Sequence, residues 1–215
     1  MTTVPPNINI SDHWETLTND VFMAPLLSEE QCRSLLYAIK NQPVVDNNTP
    51  DNPNNMHEYG AIVHSPALRS WVDELVNTKL KKTLQERFPG MPGYYFSSHH
   101  SFITRYSADA NQDLSLHVDA SHITINICLE SRTQGADLIF TGTRCRSHVD
   151  TAPDEPMTRF RFRSGDAVLH AGNQRHFVTP LESGIRTNLV IWMRLQGEDY
   201  QHSNPWVTKR CPKCQ

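Results

Sequence analysis

Hydrophobic positions follow a helical rhythm in the first half of the chain and a strand rhythm in the second, with the switch near Gly93. Cys32, Leu35, Leu36 and Ile39 recur at helical spacing behind Ser28, with Glu29 and Glu30 next to it. A serine at this point offers an acceptor to unpaired helix amides, and acids in the first turn suit the positive end of the helix dipole. A helix is therefore predicted there. A second helix is predicted over 66–88, where Leu68, Trp71, Val72, Leu75, Val76 and Leu80 form one stripe and FPGMPG stops it. Between the two, 42–59 is dense in Asn, Asp and Pro; it lacks apolar positions for a core and is predicted as a long mobile loop. The first dozen residues are polar, contain prolines and are predicted to be extended.

Beyond Gly93 the period becomes two. The runs YYFSSHHSFITRYS, LSLHVDA, HITINICLE, ADLIFTG, MTRFRFRS, DAVLHAG, HFVTP and RTNLVIWMRL alternate with turn-forming SADANQD, SRTQG, APDEP, RSGD and LESGIR. Short strands behind two helices, without strand–helix alternation, predict a mainly β sandwich or jelly roll rather than a parallel sheet. The expected layout is one domain. Residues 1–93 form a helical support region, 94–196 the jelly-roll core, and 197–215 a polar tail ending in Cys-Pro-Lys-Cys.

Length and charge narrow the function. A chain of 215 residues can bury a core without disulfides. A net charge of -3 and a pI near 6.4 give no basic field for nucleic acid or a membrane surface. No apolar run is long enough to span a bilayer, and the N-terminus lacks the basic and apolar regions of a secretory signal. Five cysteines without framework spacing predict free thiols in a reducing compartment, with the cytoplasm as the expected location.

The candidate chemistry starts in LSLHVDAS. In a strand His117 and Asp119 are two apart and face the same way, which makes two-thirds of a metal site. Alone, the pair is weak, because His-x-Asp is common by chance. The segment SGDAVLHAGNQRHFVTPLESGIRTNLVIW adds His176 and, ten residues on, Arg186 at the start of an apolar strand. Two histidines and one carboxylate that leave coordination positions open select non-haem Fe(II) for oxygenase chemistry. A buried arginine suits the far carboxylate of a dicarboxylate co-substrate, because a planar guanidinium holds it bidentately.

These residues stand in a recognisable order: Tyr106 in SFITRY, HVDASHITINICLE, QGADLIF, GDAVLHAG, then H-x-V-x-P-x-x-S-G-x-R and NLVIW. Over about residues 94 to 194 this resembles the Fe(II)/2-oxoglutarate dioxygenases of the prolyl and lysyl hydroxylase type, especially lysyl hydroxylase-like and OGFOD-type members. The resemblance implies a double-stranded β-helix (a cupin-like jelly roll) and hydroxylation of a substrate with O₂, giving succinate and CO₂. The expected substrate is a prolyl or lysyl side chain of a protein or peptide, with a small molecule or free amino acid as the alternative. A non-catalytic jelly roll is the rival of another class, and the intact ligand set argues against it. By resemblance His117, Asp119 and His176 are the iron ligands, Arg186 binds the distal carboxylate of 2-oxoglutarate, and Tyr106 bonds the same group. Asn126, which shares a face with Thr124 in T-x-N, is expected to line the co-substrate; Asn188 should point inward beside Arg186. Ascorbate is the implied reductant, and the 42–59 loop is a candidate lid.

Other residues compete for roles. His170 lies in the same loop as His176, but the spacing to Arg186 and the following V-x-P-x-x-S-G favour His176. His122 is expected to be an ordinary hydrogen-bonded histidine, and only one of His99 and His100 can face inward. Where the family carries a Gly-Gly pair this chain has Gly135-Ala136 followed by Asp137, a change that bears on substrate fit. Arg159, Arg161 and Arg163 alternate with Phe160 and Phe162, which predicts phenylalanines inward and arginines on a solvated face, or a patch for an acidic substrate. The closing Cys211-Pro-Lys-Cys214 lacks a second such pair. Cys145 and His202 are candidates to complete a zinc site, and a free or redox-active dithiol is the simpler expectation.

Overall fold

The computed structural model describes residues 5–41, 60–89, 98–148, 150–153, 156–194 and 211–214. The Asn/Pro-rich stretch expected as a lid, and most of the tail, lie outside them. Helix α1 (Glu29–Lys40) starts as the sequence predicts: the Ser28 hydroxyl accepts from Gln31 N at 3.2 Å, and the Gln31 side chain accepts from Ser28 N at 2.9 Å. The single helix expected over 66–88 is broken. α2 (Pro66–Glu74) and α3 (Lys81–Arg87) flank a π-helical turn, Leu75–Lys79, in which Leu80 N bonds to Leu75 O at 2.8 Å. Asn77 and Thr78 in that turn are weak helix formers, while Leu75, Val76, Leu80 and Leu84 all stay buried.

Among the described residues there are eleven strands rather than eight. One seven-stranded sheet runs in the order β1 (Glu15–Thr18), β2 (Val21–Pro25), β9 (Asp166–Ala171), β6 (Ile123–Gly135), β11 (Leu181–Arg194), β4 (Ser98–Tyr106), β3 (Gly60–Ile62). A four-stranded sheet orders β5 (Leu114–His117), β10 (Gln174–Val178), β7 (Leu138–Thr143) and β8 (Thr158–Phe160). The region read as helical support thus supplies three strands of the larger sheet. The β1–β2 hairpin escaped the sequence reading, although Asn19-Asp20 marks its turn and Asp20 sits at φ 55. SRTQG and LESGIR, read as turns, are strand instead: Ser183, Gly184 and Ile185 pair with Gln134, Thr133 and Arg132. Their polar composition reflects the exposed faces of a two-stranded ribbon.

Alternation along the central strands places the site. Ile123, Ile125, Ile127 and Leu129 of β6 join Ala167, Leu169 and Ala171 of β9 and Leu189, Ile191 and Met193 of β11 under the helices. Their intervening neighbours, among them Cys128 and Val168, join Tyr106 of β4 in facing Leu138, Phe140 and Val178 of the small sheet. Both faces are buried, so these strands read as nearly continuous apolar runs in which the few polar residues stand out.

Candidate metal centre and co-substrate pocket

β5 and β10 are antiparallel neighbours in which His117 lies directly opposite His176, with ring centroids 4.2 Å apart. The strand predicted to carry both residues ends at His117, so Asp119 reaches the site from a turn rather than by strand alternation, held there by Asp119 N donating to Gly172 O at 2.9 Å. Asp119 Oδ1 lies 3.3 Å from His117 Nε2 and 3.7 Å from His176 Nε2. The ligand atoms of His117, Asp119 and His176 all fall within 4.8 Å of one another. The ring tautomers follow from the backbone. His117 Nδ1 meets Ser115 O at 2.8 Å, and His176 Nδ1 meets Gln174 O at 2.8 Å. A carbonyl can only accept, so each Nδ1 donates and each Nε2 turns a lone pair on the site. Two imidazole nitrogens and a carboxylate oxygen aimed at one point fit a divalent iron with positions to spare.

His170 is the near miss. It lies on β9 in the opposite sheet, with Nε2 3.7 Å from Asp119 Oδ2 and Nδ1 on Ala171 O at 2.9 Å. It touches the carboxylate from the far side and does not complete the three-atom cluster. Sequence spacing selected the same histidine that the strand pairing brings to His117.

Asp119 is buried, and Thr124 Oγ1 donates to its Oδ2 at 2.6 Å. With that proton committed, Ser121 Oγ donates to Thr124 Oγ1 at 2.8 Å. Thr124 therefore positions the carboxylate, a use the T-x-N pattern did not reveal. Burial alone would raise the Asp119 pKa, but the three histidines around it hold it far below the usual carboxylate range. Burial, reinforced by the nearby His117, pushes His176 down to about 3. His117 is raised: burial opposes its charge, but the bond to Asp119 and the carboxylate's field outweigh it.

Arg186 on β11 stands opposite Tyr106 of β4, with its guanidinium carbon 4.4 Å from the Tyr106 ring centroid and 5.1 Å from that of Phe162. It is 2% exposed, and one Nη donates to Ala136 O. Its Nε has no hydrogen-bond partner, and among the described residues no carboxylate is in ion-pair contact with it. Burial lowers the Arg186 pKa and raises that of Tyr106, while a bond between the two works the other way on each. The Ala136 carbonyl reaches Arg186 because Gly135 and Ala136 both adopt left-handed backbone, at φ 72 and 50. Neither Phe162 nor the Ala136 carbonyl could be assigned from sequence, since each arrives from a separate turn.

A cavity runs from the ligand cluster to Tyr106, with Tyr106, His117, Asp119, Asn126, His170 and His176 in its lining; Arg186 lies behind the Tyr106 ring rather than in that lining. Asn188 Nδ2 donates to Asn126 Oδ1 at 2.5 Å, and the buried Asn188 Oδ1 has no partner among the described residues. A roomier cleft beside Asn7, Asn9, Ser28 and Glu30 carries no metal-ligating cluster among the described residues. His100 packs against Phe102 and Trp192, at ring distances of 5.0 and 5.8 Å, whereas His99 turns to Asp73 of α2 at 3.3 Å. His122 is buried outside the ligand set. Arg159 and Arg161 are not simply solvated: both pair with the buried Asp137 carboxylate, at 3.0 and 2.8 Å.

No family model matches the chain. Among curated proteins it is similar to the 2-oxoglutarate and iron-dependent oxygenase domain-containing protein CP2 of Arabidopsis thaliana, 34% identical over 178 residues. That match covers 81% of this chain and 45% of the relative. The human 2-oxoglutarate and iron-dependent oxygenase domain-containing protein 2 is 29% identical over 187 residues, covering 84% of this chain and 51% of that protein. The chain thus spans about half the length of the curated relatives it matches. Among solved structures, a Pseudomonas putida prolyl-4-hydroxylase superposes with TM-score 0.56 at 14% identity, covering 84% of this chain and 95% of that one. The α-ketoglutarate-dependent epimerase SnoN from nogalamycin biosynthesis does so with TM-score 0.56 at 15% identity, covering 85% and 84%. The fold they share with this chain is the double-stranded β-helix of 2-oxoglutarate–Fe(II) oxygenases.

Proposed function

We propose that this chain, homologous to the 2-oxoglutarate and iron-dependent oxygenase domain-containing proteins and built on their fold, is a working Fe(II)- and 2-oxoglutarate-dependent dioxygenase that hydroxylates a prolyl or lysyl side chain of a protein or peptide. The observation that carries the reading is a three-ligand cluster in a cavity that reaches Tyr106, whose ring packs on a buried arginine without a carboxylate partner among the described residues. An unpaired buried cation is costly, and an anionic co-substrate offsets that cost only when bound.

His117, Asp119 and His176 would hold the iron, and Arg186 the distal carboxylate of 2-oxoglutarate. Bound there, iron would supply O₂ activation coupled to oxidative decarboxylation of 2-oxoglutarate to succinate and CO₂, with hydroxylation of the substrate. The chain's own residues fix the geometry. Thr124 holds one oxygen of Asp119, Ser115 and Gln174 carbonyls fix the imidazole tautomers, and the Asn126–Asn188 pair presents a free acceptor inside the wall. The Tyr106 and Phe162 rings both pack on Arg186 and keep water from its guanidinium. Ascorbate is proposed as reductant on the resemblance alone. The cysteines described are free thiols, which suits a reducing, cytoplasmic setting, and no described helix is long and apolar enough to cross a membrane.

The shared fold serves a prolyl hydroxylase and an epimerase alike, so it does not choose the substrate. The deciding assay follows succinate release from 2-oxoglutarate with prolyl and lysyl peptides, and with the free amino acids, and looks for a 16 Da gain in the product by mass spectrometry. Turnover with peptides alone supports the reading. Turnover only with free amino acids moves the substrate class to small molecules. No iron binding, no 2-oxoglutarate binding and no succinate under any condition would leave a non-catalytic jelly roll.

A further inference from the structure

We propose that Cys145, His148, Cys211 and Cys214 form a second, closed metal site that holds a structural zinc ion, distinct from the candidate iron centre. Sequence spacing left Cys211 and Cys214 without enough partners. The fold supplies them from the loop after β7: Cys145, one of the two partners expected, and His148, which was not; the other, His202, lies outside the described residues. Cys145 and His148 bracket a 3-10 turn, Arg146–His148, in which His148 N donates to Cys145 O at 3.0 Å. Cys211 and Cys214 are the ends of a four-residue turn, closed by Cys214 N donating to Cys211 O at 2.9 Å.

The ligand atoms lie at tetrahedral spacing. His148 Nδ1 is 3.2 Å from Cys145 Sγ, 3.4 Å from Cys211 Sγ and 3.5 Å from Cys214 Sγ. Cys145 Sγ and Cys214 Sγ are 3.7 Å apart, and all four ligand atoms fall within 4.8 Å of one another. A tetrahedron with Zn–S near ~2.3 Å and Zn–N near ~2.05 Å has S···S edges of about 3.8 Å and S···N edges of about 3.5 Å. A disulfide would need sulfurs about 2.05 Å apart, and the described cysteines are all free. Three thiolates and one imidazole are the soft donor set that selects zinc over iron(II) or magnesium. Four protein ligands leave no open position, so the site's role is structural.

Its position gives it a task. β7 and the loop after it, which carries Cys145 and His148, are tied to β10 and the turn before it: Arg144 N donates to Asn173 O at 3.2 Å, Arg175 Nε to Thr141 Oγ1 of β7 at 3.2 Å, and Arg175 Nη1 to Thr151 O of the loop. Arg175 directly precedes His176. Zinc would anchor the C-terminal residues to this loop and brace the strand that presents His176. The zinc site stands whether or not the oxygenase reading holds.

The test is elemental analysis of the whole chain, purified without chelator, combined with Co(II) titration of the demetallated His176→Ala variant. Expected are one zinc per chain, kept in His176→Ala and lost in Cys211→Ser/Cys214→Ser, and an intense thiolate-to-cobalt absorption. The cobalt arm needs no cysteine variant, so misfolding of the double mutant leaves it decisive. Absence of both zinc and thiolate absorption would overturn the site, as would zinc that is lost in His176→Ala but kept without Cys211 and Cys214.

Discussion

Asp119 is approached by His176 and His170 at the same 3.7 Å, on its two different oxygens, so the assignment of the third ligand rests on direction. His176 shares Oδ1 and the strand pair with His117; His170 belongs to the opposite sheet. His176→Ala is expected to abolish iron binding and turnover, while His170→Ala keeps iron binding within a few-fold, as read by calorimetry with Fe(II) under anaerobic conditions. Arg186→Ala should weaken 2-oxoglutarate by about 2–5 kcal/mol, the scale for truncating one partner of a buried charge pair, visible as a raised co-substrate KM. Thr124→Val keeps the shape but removes the donor to Asp119 Oδ2. It should weaken metal affinity by roughly 10–100-fold, the usual effect of losing a group that orients a ligand. If Thr124→Val binds iron as the wild type does, Thr124 only packs.

At the scale of elements, the site depends on how turns meet. The turn bearing Asp119 is clasped by Gly172, whose N donates to His122 O while its O accepts from Asp119 N. A Cβ at Gly172 would lie 1.9 Å from Ser121 O, a backbone atom that cannot step aside. Gly172→Ala should therefore lower thermal stability by several degrees, roughly what a loss of 1–3 kcal/mol produces, and loosen metal binding with it. The β7–β8 pair has its own clamp in Asp137. The bond from Arg161, together with Arg159, holds the Asp137 carboxyl below its usual range despite burial. A depressed folded value means this stabilisation is complete above about pH 4, the ordinary aspartate value, and is lost as pH falls through the lower folded value. The stability gap between wild type and Asp137→Asn should thus be full at neutral pH and close on acidification, as followed by denaturant unfolding. A gap that stays constant from pH 7 to pH 2 would assign the effect to packing instead.

Over the whole molecule, local chemistry was legible wherever the periodicity or a motif acts on neighbouring residues. The Ser28 cap and the inward phenylalanines 160 and 162 followed from spacing, and the nearness of His117 to Asp119 from the His-x-Asp motif, whereas Tyr106 came from the family resemblance. Boundaries and partners did not. The 66–88 helix breaks at a π turn because packing of Leu75 and Leu80 outweighs regular spacing, and the polar ribbon of SRTQG with LESGI is strand because each half pairs with the other. The turn readings failed because backbone pairing across about fifty residues leaves no trace in a local pattern. What the sequence by itself determined was a β-rich chain with a His-x-Asp motif, a later histidine and an inward arginine. Only the tertiary structure decided that β5 and β10 lie side by side, that Ala136 and Phe162 cradle Arg186, and that Cys145 and His148 meet Cys211 and Cys214. Side-chain periodicity is a property of single strands, whereas a metal site is a property of which strands and turns become neighbours.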